Sequence, residues 1–85
     1  MNSKVIRALL EASAVKRVRI IGNGGSFHVQ IETKGGSNTV ETHDGRIKSW
    51  ATIDAAAKWI RNLGIGKAQL ELQRWSPDQR RMKLD

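Results

Sequence analysis

The sequence predicts a two-layer α+β domain, a mainly antiparallel five-stranded sheet with two helices on one face, in the order α-β-β-β-β-α-β. Three observations predict it. Apolar residues recur at helical spacing in two segments, residues 3–14 and 53–63. Between these segments, and again after the second, the period drops to two. Glycine-rich and Asp-Gly breaks then divide the alternating stretches into pieces of ordinary strand length. Eighty-five residues make one domain, assigned here to residues 1–76, with 77–85 as a short basic C-terminal tail or helix.

The first helix carries Val5, Ile6, Leu9 and Leu10 on one stripe, with Ser3 placed to cap it. Val18 and Ile20 then alternate with Arg17 and Arg19 until Gly22-Asn23-Gly24-Gly25 makes a turn. Phe27, Val29 and Ile31 alternate with His28, Gln30 and Glu32, and Gly35-Gly36-Ser37-Asn38 makes the next turn. Residues 39–43 and 46–50 flank Asp44-Gly45, the pair favoured in a two-residue hairpin because both positions tolerate positive φ. That register sets Glu41 opposite Lys48, Thr42 opposite Ile47 and Thr39 opposite Trp50.

The second helix has Thr52 as N-cap, Asp54 at its positive end, and Ile53, Ala56, Ala57, Ile60 and Leu63 as buried stripe. Gly64 stops it in the left-handed conformation, with Ile65 folding back. Ala68, Leu70 and Leu72 alternate with Gln69, Glu71 and Gln73 in a last strand. Ser76-Pro77-Asp78-Gln79 has the order of a capped helix start. The expected core face of the sheet is Val18, Ile20, Phe27, Val29, Ile31, Val40, Ile47, Leu70 and Leu72, leaving the other face wet.

Composition narrows the function. The absence of cysteine excludes a disulfide scaffold, a thiol nucleophile and a Cys-ligated zinc finger. No apolar run approaches the ~20 residues that span a bilayer, so no membrane partner is expected and the cytoplasm is the expected location. Fifteen Lys and Arg against eight Asp and Glu give a net charge of +7, a field that attracts polyanions.

Alternation assigns Arg17, Arg19, His28, Gln30, Glu41, His43, Arg46, Lys48, Trp50, Gln69, Glu71 and Trp75 to the open face. Cations beside flat aromatics neutralise phosphates and stack bases, so Arg17, Arg19, Arg46, Lys48 and Trp50 form a candidate nucleic-acid platform. Lys16 joins it after the first helix, and Arg80, Arg81 and Lys83 add a basic tail. The competing reading has Glu32, Glu41 and Glu71 neutralising the patch and Trp50 and Trp75 plugging the edge of a small core, with Trp59 on the second helix as core.

No catalytic residues, metal site or cofactor is expected. His28 and His43 are the only histidines and nothing around them has metal-ligand spacing. The glycine turn leads into a strand, whereas phosphate loops lead into a helix N-terminus. The run of helix, strands and helix resembles double-stranded RNA-binding domains, but Asp54 stands where that family has a lysine cluster. RNP aromatics and a helix-turn-helix are missing as well.

The segment Asp44-Gly45-Arg46-Ile47-Lys48-Ser49-Trp50-Ala51-Thr52-Ile53-Asp54-Ala55-Ala56-Ala57-Lys58-Trp59-Ile60-Arg61-Asn62-Leu63-Gly64-Ile65 resembles the central part of small plasmid partition-associated proteins of the ParC family, which are distinct from the topoisomerase subunit of that name. The shared pattern is a Gly-Arg hairpin, an aromatic residue, a short helix with its stop, and a final strand. The resemblance implies an accessory protein of a plasmid or mobile element and transfers no site residue. The resulting expectation is a non-enzymatic protein binding DNA or a DNA-bound partition protein. The alternative is a protein–protein interaction module, such as an inhibitor or adaptor of a host nucleoprotein complex, meeting an acidic protein or a second copy of itself.

Overall fold

In the computed structural model, which describes residues 1–77, helix α1 (Ser3–Glu11) is followed by strands β1 (Val15–Gly24), β2 (Ser26–Thr33), β3 (Gly36–Thr39) and β4 (Ser49–Trp50). Helix α2 (Ile53–Asn62) and strand β5 (Gln69–Trp75) complete the order, so the α+β class and the sequence of elements are as expected. The expected tail from 78 onward, with Arg80, Arg81 and Lys83, lies outside the described residues.

Strand order across the sheet is β3-β2-β1-β5, and β4 shares the outer edge of β2 with β3. The pairings within β1–β4 are antiparallel. β5 lies parallel to β1, a position the chain reaches by a crossover through α2. The β1–β2 turn is Gly24-Gly25, between the paired residues Asn23 and Ser26.

Ile6, Val18, Ile20, Phe27, Val29, Ile31, Val40, Ala56, Ile60 and Ile65 form one buried cluster between sheet and helices. Thr52 caps α2, its hydroxyl accepting from the Ala55 N–H at 3.1 Å. Gly64 then takes φ 93°, a left-handed conformation that stops the helix and turns Ile65 back into the core. The cap of α1 is Asn2 rather than Ser3: its side-chain oxygen accepts from the Val5 N–H at 3.1 Å. α1 also ends earlier than the apolar spacing implied, at Glu11, with Ser13 at φ 55°.

Several expected positions are corrected. The hairpin around Asp44-Gly45 has a three-residue loop, not two. The Thr42 N–H donates to the Arg46 carbonyl at 2.7 Å, the Thr42 hydroxyl accepts from the Arg46 N–H at 3.2 Å, and that hydroxyl also bonds Asp44. Glu41 therefore faces Ile47, one residue away from the expected pairing with Lys48. A slip of one residue sends every side chain to the opposite face. Trp50 accordingly pairs with the core residue Phe27 instead of Thr39, and Thr39 pairs with Gln30. Residues 41–48 leave the sheet as an excursion between β3 and β4, which is why Ile47, expected in the core, is 61% exposed.

Leu70 and Leu72 were also expected in the core, yet they are 45% and 41% exposed. β5 is the outermost strand on its side, while α2 lies over β2 and β4. Val5, counted in the α1 stripe, is exposed too. Trp75 moves the other way. An extra residue in β5 between Glu71 and Arg74, opposite Ile21 and Asn23, reverses the alternation and turns Trp75 onto the core side. Its ring lies 5.6 Å from that of Phe27.

Candidate functional site

The wet face of the sheet is organised around Arg19 on β1. Its Nη1 donates to Glu71 Oε2 on β5 at 3.2 Å, and its Nη2 donates to Gln30 Oε1 on β2 at 3.3 Å and to Ser37 Oγ on β3 at 3.2 Å. One guanidinium thus ties four strands together. Beside it, Arg17 pairs with Glu32 at 3.6 Å. Both arginines stand on the face the sequence implied, but their charge is taken up by carboxylates of the same face. No tryptophan accompanies them: Trp50, Trp59 and Trp75 all pack against the buried cluster on the helix side. The expected platform of arginines beside Trp50 is therefore split between opposite faces, because the hairpin loop is one residue longer than Asp-Gly alone implied.

Lys48 lies with Trp50 on the helix side. Its Nζ sits 5.5 Å from the Trp50 ring and 5.9 Å from the Trp59 ring, and those two rings are 5.2 Å apart. Cation and aromatics do meet, but on the helix side, where both rings are half-buried against the core. Arg46 projects from the excursion, where it pairs with Asp44 at 2.9 Å. Thr42 and then Arg46 hold the Asp44 carboxyl below the usual carboxylate range.

His28 lies in a shallow polar depression of the wet face with Ile21, Gln30, Glu71 and Arg74, and partial burial lowers its pKa below the ordinary value. It is therefore neutral at neutral pH. His43 sits elsewhere, beside Glu41 and Lys48 at the start of α1. Among the described residues no three His, Asp or Glu side chains gather as a metal would require. None of the described helices is long and apolar enough to cross a membrane.

A further concavity lies outside the positions the sequence implied. Pairing between β1 and β5 begins only at Arg19 and Gln69, so Val15–Val18 runs on past the start of β5. The resulting notch is a groove of about 830 Å³ between the end of α1, the start of β1 and the α2–β5 connection. Its floor is Leu10, Val15, Val18, Ile65 and Ala68, and Lys16, Arg17 and Lys67 stand around it. Lys16 and Arg17 were candidates from the sequence; Lys67 was missed. Its proximity depends on β5 lying parallel beside β1, and the one available signal was the strand–helix–strand order, which favours such a crossover.

No family model, curated protein or solved structure matches the chain.

Proposed function

We propose that this chain is a non-enzymatic accessory protein that engages DNA, or a protein bound to DNA, through surface cations. The observation that carries this reading is an imbalance of charge pairing. Glu32, Asp44 and Glu71 are each taken up by an arginine, while Lys4, Arg7, Lys16, Lys34, Lys48, Lys58, Arg61, Lys67 and Arg74 have no carboxylate partner among the described residues, against Glu11 and Asp54 with no cation partner. The unpaired positive charge is therefore spread over the helix layer and the groove, with Arg74 adding one unpaired cation on the wet sheet face. Cations so placed contact phosphates without reading bases, so the expected binding is indifferent to sequence. Arg17, Arg19 and Arg46 contribute less than the sequence implied because each has an internal partner. Trp50 contributes packing. The resemblance of residues 44–65 to plasmid partition-associated proteins agrees with such a role.

Fluorescence anisotropy with two unrelated labelled duplexes tests the reading. Binding of similar strength to both at low salt is expected; no binding at low salt removes DNA as a partner.

A second reading, a protein-interaction module, is favoured by one specific feature. The groove beside β1 has an apolar floor, which a phosphodiester backbone does not fill and a peptide side chain does.

A further inference from the structure

We propose that the groove between β1 and the α2–β5 connection is a docking site for an extended acidic peptide segment of a partner protein, its carboxylates meeting Lys16, Arg17 and Lys67. This goes beyond general attraction to polyanions, because it names a site and an occupant.

Three features converge on that occupant. The flank of Val15–Val18 away from β2 has no strand partner among the described residues, since β5 first pairs at Arg19. An unpaired strand flank takes up an extended chain by main-chain hydrogen bonding. The floor beneath it, with Leu10, Val18 and Ile65, offers apolar contact to alternate side chains of such a chain. Finally, no carboxylate lines the groove among the described residues, while three cations do. Arg17 is shared with Glu32 at 3.6 Å; Lys16 and Lys67 have no such partner there.

Two other occupants fit less well. A second copy of this chain brings its own +7, so self-association here is opposed. A fatty acid uses the floor and one cation but leaves the strand flank unpaired. An acidic strand satisfies all three features.

The test uses a short fluorescein-labelled peptide alternating glutamate with valine and leucine, titrated into the full chain by anisotropy. Amide chemical-shift mapping of the same mixture accompanies it. Binding with shifts confined to residues 15–18 and 66–69 is expected, and it should weaken at least about tenfold in Lys67→Glu, the loss of one charge-assisted contact. Lys67 is exposed, so that variant should keep the parent melting temperature, and a thermal melt checks this. Shifts elsewhere, or unchanged affinity in a folded Lys67→Glu, would overturn the proposal. Duplex binding with no peptide binding would sink this inference and leave the DNA reading intact.

Discussion

A Cβ added to Gly22 would stand 2.7 Å from the Cβ of Trp75. The absence of a side chain in the middle of β1 is what lets the indole lie over the strand and reach Phe27. Because Trp75 Cγ and Phe27 Cε1 would each be 3.1 Å from the new atom, the crowding has no single flexible group to relieve it. Gly22→Ala should therefore destabilise by about 1–3 kcal/mol, the usual cost of overpacking. Urea denaturation measures it, and a neutral result would mean that Trp75 does not seal this end of the core.

Trp50 should behave as a packing residue. Half-buried, opposite Phe27 and against Trp59, it should cost about 2 kcal/mol when changed to Ala, somewhat below a fully buried aromatic. A ring held on the open face for stacking bases would cost almost nothing in the free protein, so the same denaturation curve separates the two placements.

For Leu70 and Leu72 the opposite holds. With over two-fifths of each exposed on the outermost strand, Leu70→Lys and Leu72→Lys should each change stability by no more than about 0.5 kcal/mol. A loss of several kcal/mol would restore them to the core.

His28 gives a pH dependence with a definite sign. Burial lowers its folded-state pKa below the unfolded value of about 6.5. As pH falls below that value, the unfolded chain takes up the proton first, so this residue's contribution to stability declines until the folded pKa is passed. Above the unfolded value the contribution is complete. Proton NMR titration of the His28 ring should show the lowered midpoint, and His28→Gln should flatten the stability profile in that window.

Local signals in the sequence were sufficient for the elements that depend on neighbours. The Thr52 cap, the Gly64 stop and the alternation of Phe27, Val29 and Ile31 each rest on contacts within a few residues. The errors arose where one residue decides parity. Thr42 draws its hydroxyl into the hairpin and lengthens the loop, and the extra residue before Arg74 reverses the end of β5. Each moves a tryptophan across the sheet. The groove was illegible for another reason: it exists only because β5 starts late beside a strand from which it is distant in sequence. Lys67 and Lys16 become neighbours through topology, which periodicity does not encode.

Charge is the expected hold on the partner, with the tryptophans serving the core. Titration of a labelled duplex across a series of salt concentrations, with tryptophan emission recorded at each point, tests it most directly. The expected result is a steep fall of log K with log salt, close to −0.9 for each phosphate neutralised, while emission stays unchanged. A flat salt dependence, or strong tryptophan quenching on binding, would contradict it.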